Sequence, residues 1–216
     1  MGHDSVTMGV MPKLGMEPIR KEALIKATID EIGRAGSLDV TVGQIARRAG
    51  MSSALAHHYF GSKDAIFRAA MRAILTFLGD DVRAGLAQAQ SPVERLDAIL
   101  EASFSPTSFR REVIAAWLNF YVLALSDPQA RRLLAVYQSR MRSNLRYCLR
   151  PLVGGQAWMM AENLAALIDG VYLREALKPD APDVPAILSL LRASLPAALW
   201  EDAHDCATKS EPFYKR

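Results

Sequence analysis

Four aromatic residues and one aspartate in the second half of the chain have the types and spacing that could bind a small cation. Trp117 and Tyr121 lie four residues apart, about one helical turn, and Phe104 precedes them. Tyr172 and Asp169 follow in a later segment. Aromatic rings at helical spacing either pack in a hydrophobic core or form a cage around a cation, and the sequence leaves both interpretations open here.

Asp169 lies in the middle of the apolar run Ala165-Ala-Leu-Ile-Asp-Gly-Val-Tyr-Leu-Arg174. Burying an unpaired carboxylate is strongly unfavourable, so Asp169 is expected to find a basic partner, face solvent or bind a ligand. The candidate partners are Arg140, Arg142, Arg146 and Arg174.

The chain contains no arrangement of residues typical of an enzyme. It has no nucleophile elbow, no phosphate-binding loop and no metal-ligand spacing, and the adjacent His57 and His58 point to opposite sides of a short predicted helix. Cys148 and Cys206 are the only two cysteines, which indicates neither a disulfide framework nor a zinc site. We therefore expect a protein that is not an enzyme and uses no cofactor or metal.

Residues 41–64 are a second group with a functional pattern, because their sequence predicts two short helices joined by a tight turn. Thr41 can cap the first helix, and Gly50 can adopt the left-handed conformation that such a turn requires. Ser52 can cap the second helix, predicted for about residues 53–58. This pattern predicts a helix-turn-helix, whose short second helix suits a DNA major groove about 12 Å wide.

Glycine turns between short helices also occur in ordinary helical domains. The residues around the turn therefore have to distinguish a DNA-binding helix-turn-helix from such a domain. Ala46 allows the two helices to approach closely, and Met51 supplies an apolar plug after the turn. Residues 11–72 contain 10 basic and 6 acidic residues, whereas residues 73–200 contain 13 and 12. Positive charge therefore concentrates around the helix-turn-helix, as phosphate binding requires, and Arg20 could either reach phosphate or remain solvated.

Caps, prolines and glycines divide the chain into about nine helices without strand-like alternation, which predicts an all-α fold. The predicted bounds of helix 1 and helices 4 to 9 are 18–36, 62–79, 91–103, 107–125, 128–149, 156–177 and 184–199. Residues 1–17 are expected to form a flexible arm and residues 201–216 a loose tail. No apolar run approaches 18 residues, so a cytoplasmic protein with no membrane partner is expected.

The run from Thr41 through Ser52, His58-Tyr59-Phe60 and Lys63 resembles the DNA-binding domain of the TetR family of transcriptional regulators. The resemblance implies a three-helix DNA-binding domain over residues 18–64 and a helical domain for effector binding and dimerisation over residues 65–200. It also implies a palindromic double-stranded DNA operator as the partner. The residues at positions that commonly face DNA in this family are Thr41, Ser52, Ser53, Leu55, His57, Tyr59 and Lys63.

Four further segments resemble the choline-responsive repressors of that family. The segments are Met11-Pro-Lys-Leu-Gly-Met16, Ala116-Trp-Leu-Asn-Phe-Tyr121, Ser143-Asn-Leu145 and residues 165–174. The resemblance implies that choline, a small cationic effector, regulates the protein, and that the protein controls synthesis of the osmoprotectant glycine betaine from choline. It favours the cage interpretation, with Asp169 as counter-charge to the candidate rings of Phe104, Trp117, Tyr121 and Tyr172. The alternative effector is another small ligand, such as a lipophilic cation.

Helices 8 and 9 carry apolar stripes that predict a two-fold homodimer. On helix 8 the stripe contains Leu164, Leu167, Ile168 and Val171, with Gly170 allowing close approach; on helix 9 it contains Ile187 and Leu191. A dimer would place two reading heads, that is, the helix-turn-helix of each chain, on DNA half-sites about 34 Å apart. The alternative is that these residues close the core of a single chain.

Overall fold

The structure is a computed structural model that describes residues 15–200, so most of the predicted arm and all of the predicted tail lie outside it. Over this range the chain forms nine α-helices, one short 3-10 turn at Gly154–Gln156 and no strand, which confirms the predicted all-α fold. The helices are α1 Met16–Ala35, α2 Val42–Arg48, α3 Ser53–Phe60, α4 Lys63–Gln88, α5 Pro92–Ser103, α6 Arg111–Ser126, α7 Pro128–Val153, α8 Ala157–Ala176 and α9 Val184–Ala193. None of them is both long and apolar enough to cross a membrane.

Several helix bounds differ from the sequence prediction. α4 continues nine residues beyond Gly79, because Leu78 and Val82 are buried on either side of that glycine and hold the helix against the core. α6 begins at Arg111 rather than Thr107, after a segment of turns. α7 contains Pro151 in its last turn and ends at Val153, whereas α9 ends at Ala193, before Pro196.

The three N-terminal helices pack around a small core to which α1 contributes most. Leu24 and Ile32 on α1 and Ile45 on α2 are fully buried, and α4 closes the core with Ile66 and Phe67. α1 also packs along α6, so the N-terminal helices rest on the C-terminal bundle through α1 as well as through α4.

The C-terminal helices form a bundle in which α7 and α8 pair most extensively. α5 lies between α4 and α7, α6 packs on α7 and α8, and α9 covers parts of α8 and α5. Arg192 of α9 bonds Asp97 of α5 through both its Nε and Nη2 atoms, at 2.7 and 2.8 Å, which fastens α9 to the bundle. The bundle thus surrounds α6, the helix that carries Trp117 and Tyr121.

Asp127 joins α4 to the start of α7. Its Oδ1 accepts hydrogen bonds from the backbone N–H groups of Gln129 and Ala130, at 2.7 and 3.2 Å, and its Oδ2 accepts one from Arg68 at 2.7 Å. The bond from Arg68 is the main reason that the pKa of Asp127 lies below its usual range. The stabilisation from this ionised group is present above the ordinary Asp range and is lost as the pH falls through the lowered pKa.

We expect Asp127→Ala to lower the free energy of unfolding by about 2 kcal/mol, since it removes the cap of α7 and the partly buried ion pair. Asp127→Asn keeps a capping oxygen and loses only the charge, so its cost should stay below about 1 kcal/mol. Urea denaturation of the two variants measures both values. Equal losses in the two variants would contradict the capping role.

Candidate DNA-binding surface and effector cavity

The predicted helix-turn-helix is present and is fixed by local hydrogen bonds. Thr41 and Gln44 form a reciprocal capping box, in which the Gln44 N–H donates to Thr41 Oγ1 and the Thr41 N–H donates to Gln44 Oε1. Gly50 has a φ of 68°, so the turn uses the left-handed conformation that the sequence predicted. Ser52 Oγ accepts a hydrogen bond from the backbone N–H of Leu55 and caps α3.

α3 presents a small polar face to solvent. Ser52, Ser53 and His57 are exposed, while Leu55 and Tyr59 are half-buried at the edges of that face. Thr41, at the start of α2, is also exposed. The structure therefore leaves these predicted residues accessible on one side of the helix-turn-helix.

Basic groups surround Tyr59 and the start of α4. The Arg20 Nη1 atom lies 3.5 Å from the Tyr59 hydroxyl, and Lys21 Nζ lies 5.9 Å from the centre of the Tyr59 ring. Lys63 Nζ lies 5.3 Å from the centre of the Phe67 ring. Lys21 is paired with Glu17 at 2.6 Å, so Arg20 and Lys63 are the cations at the base of α3 that can neutralise phosphate groups.

Arg47 is a basic residue of this surface that the sequence analysis missed. It is exposed in the last turn of α2 and forms no ion pair among the described residues, whereas its neighbour Arg48 pairs with Glu31 of α1. The signal was the adjacent pair Arg47-Arg48 shortly before the turn, of which Arg48 pairs with α1 and Arg47 stays without an ion pair among the described residues.

The predicted effector residues fall into two aromatic clusters. In the first, Trp117 contacts Tyr121 and Tyr137 edge to face, with ring centres 5.5 and 5.0 Å apart. In the second, Tyr172 contacts Phe104 and also Phe109, at 5.6 and 4.9 Å. Phe104 is 1% exposed and lines neither of the two cavities described below. Its role in the structure is to pack against the Tyr172 ring.

Asp169 lies beside three tyrosines and without a basic partner. No Lys or Arg nitrogen of the described residues lies within 4.0 Å of its carboxylate, and Arg142, one of the arginines predicted as partners, pairs with Glu162 at 3.4 Å. Burial raises the pKa of Asp169. Burial first, and the Asp169 carboxylate second, raise the pKa of Tyr121, Tyr137 and Tyr172. A negative charge at Asp169 is thus poorly compensated within the described chain.

Two cavities meet at Tyr137. The larger, about 170 Å³, is an open cleft between α7 and α8 that is lined on one side by Tyr137 and Gln138 and on the other by Glu162 and Asp169. The smaller, about 10 Å³, is lined by Trp117, Tyr137, Tyr172 and Ser108, among others. The Ser108 hydroxyl, in the smaller cavity, and the Tyr121 hydroxyl, which lies beside Asp169 but lines neither cavity, are buried and form no hydrogen bond of good geometry with the described residues. A carboxylate without a basic partner beside an aromatic ring can attract a cationic ligand, so the cleft is the candidate effector site.

Tyr137 lines both cavities and was not among the residues predicted from the sequence. Tyr137 is three residues from Leu134 and four from Met141, both buried, so helical spacing places it on the inner face of α7. That signal was available, but the sequence does not show that α7 lies against α6 and α8 at this position.

Most residues predicted for the dimer interface are instead buried within the single chain. Leu164, Ile168 and Val171 on α8, and Ile187 and Leu191 on α9, are at most 6% exposed, because these faces pack against the bundle. Leu167 and Gly170 remain half-exposed. The face of α8 that is open to a partner contains Met159, Ala166, Gly170, Leu173 and Leu177.

Comparisons with known proteins agree over almost the whole described chain. Residues 24–70 match the family model "Bacterial regulatory proteins, tetR family", and residues 92–199 match "BetI-type transcriptional repressor, C-terminal". The chain is 50% identical over 182 residues to the HTH-type transcriptional regulator BetI of Brucella melitensis biotype 2, covering 84% of this chain and 92% of that protein. It is 47% identical over 207 residues to BetI of Agrobacterium fabrum, covering 95% and 96%.

Solved structures have the same fold. A transcriptional regulator from Pseudomonas aeruginosa PAO1 is 26% identical with a TM-score of 0.71, covering 90% of this chain and 93% of that chain. A transcriptional regulator from Saccharomonospora viridis in complex with choline is 23% identical with a TM-score of 0.72, covering 82% and 95%.

Proposed function

Because the chain belongs to the TetR family of transcriptional regulators and carries a BetI-type repressor domain, we propose that choline is the effector that controls its binding to an operator. The observation that carries this proposal is the Asp169 carboxylate, which lies among Tyr121, Tyr137 and Tyr172 without a basic partner in the described chain. Choline supplies the missing positive charge.

Choline's two functional groups match the two kinds of unsatisfied group in the site. Its trimethylammonium group is attracted to Asp169 and to the Tyr137 ring, which both line the cleft. It reaches the rings of Trp117 and Tyr172 only if the smaller cavity, about 10 Å³, widens on binding, and each ring contributes about 0.5–2 kcal/mol. Its hydroxyl can bond the Ser108 hydroxyl, which lines the smaller cavity and lacks a partner among the described residues. A few rings and one carboxylate support an affinity of roughly micromolar to millimolar, which suits a sensor of an abundant metabolite.

The choline complex of the Saccharomonospora viridis regulator supports the same assignment, since that protein shares the fold. Control of glycine betaine synthesis from choline follows from the resemblance to choline-responsive repressors, and the identity of 47–50% with BetI regulators agrees with that resemblance. A lipophilic cation is the alternative effector, and the open cleft beside Asp169 does not exclude it by size. Saturable heat with such a cation but none with millimolar choline would replace the effector and leave the DNA-binding function unchanged.

The DNA-binding part of the proposal assigns the exposed face of α3 to a major groove. Ser53 and His57 face the base edges, and the half-buried Leu55 is placed to touch a thymine methyl group. Arg20, Tyr59 and Lys63 contact phosphates on one side of the groove, with Thr41 and Ser52 near the two helix N-termini. Arg47 joins them as a further phosphate contact.

We expect Lys63→Ala to weaken binding to a duplex selected by the wild-type protein from a random pool, and to reduce the slope of log affinity against log salt by about one unit. The reason is that one fewer counterion is released from DNA. Fluorescence anisotropy over a salt series measures the slope. Lys26→Ala, an exposed lysine on α1, is the control. An unchanged slope for Lys63→Ala would remove Lys63 from the phosphate contacts.

The dimer part of the proposal uses the outward face of α8. Met159, Ala166, Gly170, Leu173 and Leu177 recur at spacings of seven, four, three and four residues, so they share one side of the helix. Leu177 is 77% exposed. Together with Leu190 of α9, this face is an apolar surface that a two-fold partner would cover.

A further inference from the structure

α1 and α6 touch backbone to backbone at one point. A Cβ atom added to Gly33 would lie 2.5 Å from the Cα of Glu112 and 2.6 Å from its carbonyl oxygen. These distances are far below contact distance, and the atoms concerned are main-chain atoms that cannot rotate away. Residue 33 therefore accepts no side chain unless the two helices move apart.

The same end of α6 is tied to other parts of the molecule. Arg110, its N-cap residue, lies 4.0 Å from Asp30 of α1, and Arg111 donates to the carbonyl oxygen of Pro179 at 3.0 Å, in the segment between α8 and α9. Phe109, just before α6, contacts the Tyr172 ring at 4.9 Å. The first turn of α6 thus contacts the DNA-binding helices and the segment that leads to α9, and it lies next to the two aromatic clusters of Trp117 and Tyr172, together called the aromatic site below.

We propose that Gly33 is a positioning residue for DNA binding, because its bare backbone contact fixes the place of the reading head relative to α6. The inference rests on the proposed function. Trp117 lies five residues beyond Glu112 on the same helix, about 7.5 Å along its axis. A contact without side chains has no rotamers to absorb movement, so a displacement of α6 at the aromatic site passes directly to α1.

From α1 the displacement reaches both helices of the reading head. Glu31, two residues before Gly33, pairs with Arg48 of α2. Arg20 at the other end of α1 bonds Tyr59 of α3. α1 therefore connects the crossing with α6 to both sides of the helix-turn-helix, independently of the covalent link through α4.

The test compares Gly33→Ala with Gly79→Ala in the full-length protein. Both changes replace a glycine inside a helix, but a Cβ at Gly79 meets only Arg83 Nη1 at an ordinary 3.6 Å. We expect Gly33→Ala to keep its helical circular dichroism and its choline affinity, to bind the selected duplex at least about tenfold more weakly, and to show a smaller choline-induced change in duplex affinity. Gly79→Ala and Glu112→Ala, which leaves the backbone contact in place, should stay within about twofold of wild type.

Duplex binding by Gly33→Ala within twofold of Gly79→Ala would overturn the proposal, as would weaker binding with the full wild-type choline response. If wild-type protein binds the duplex but ignores choline, the effector assignment fails, and the ligand-free comparison still decides the role of Gly33. If Gly33→Ala does not fold, hydrogen exchange of the wild type decides instead. Duplex binding should then slow exchange at residues 111–117 of α6 as well as at 29–35 of α1, and unchanged exchange in α6 overturns the proposal.

Discussion

Gly170→Trp should convert the protein to a monomer and weaken duplex binding by at least about 100-fold, because two linked reading heads gain avidity that one head lacks. The outward face of α8 has its smallest residues, Ala166 and Gly170, near its centre. A Cβ at Gly170 would meet no atom of its own chain within 4 Å. An indole there leaves the fold of the single chain intact and blocks only a partner that approaches closely.

Sedimentation velocity at micromolar concentration gives the oligomeric state, and fluorescence anisotropy gives the duplex affinity. Ala135→Trp is the matched control, since it adds the same side chain to an exposed position of α7. The control should remain a dimer with duplex affinity within about threefold of wild type. A Gly170→Trp protein that remains dimeric would contradict this interface.

The second large effect is expected for Asp169→Asn, which should abolish measurable choline binding and at the same time raise the thermal midpoint of the ligand-free protein at pH 7. The amide is nearly the same size but cannot attract a cation as the carboxylate does. It also removes the cost of holding a partly buried charge that has no basic partner among the described residues. Loss of binding together with a gain in stability is the signature of a functional charge, because a purely structural carboxylate would lose stability when replaced.

The pH dependence follows from the direction of the pKa shift. Burial raises the pKa of Asp169, so the folded protein holds this proton more tightly than the unfolded chain does. The contribution of Asp169 to stability is therefore most favourable at low pH and is lost as the pH rises through the raised pKa. Choline binds the carboxylate form, so its affinity should be constant above that pKa and fall below it. Calorimetry in buffers of different ionisation enthalpy should show proton uptake by the buffer on binding near that pKa.

Glu162→Gln is the control for Asp169→Asn, because Glu162 lines the same cleft and is already paired with Arg142. We expect its choline affinity to change by less than about threefold, since its charge is compensated and partly screened by solvent. Asp169→Asn protein that binds choline as tightly as the wild type would remove Asp169 from the site. Trp117→Ala is a less clear test, because Trp117 is 4% exposed and its loss also leaves a cavity.

The helix-turn-helix could be predicted closely because local rules determine it. Thr41, Gly50 and Ser52 each act through bonds or dihedral angles within a few residues, and the structure has each of them in the predicted conformation. The end of α4 could not be predicted in the same way. Gly79 resembles a helix end in the sequence, but packing of Leu78 and Val82 against the bundle carries the helix past it.

The candidate effector site and the candidate dimer face could be only partly predicted, since both depend on which helices pack together. Asp169 was identified because a carboxylate inside an apolar run needs an explanation, whereas Tyr137 on α7 resembles any core tyrosine. α8 has apolar residues on two faces, and its sequence does not show which face the chain itself covers. The prediction chose Leu164 and Ile168, which pack inward, and omitted Leu173 and Leu177, which do not.

The most direct test of the account is a titration of choline, betaine aldehyde and glycine betaine into wild-type protein bound to its selected duplex, followed by anisotropy at constant salt. We predict that choline changes the duplex affinity by about tenfold, in a saturable way and in the micromolar to millimolar range. Glycine betaine should have little effect, because its own carboxylate would be repelled by Asp169. Duplex binding that is unaffected by millimolar choline would contradict choline control.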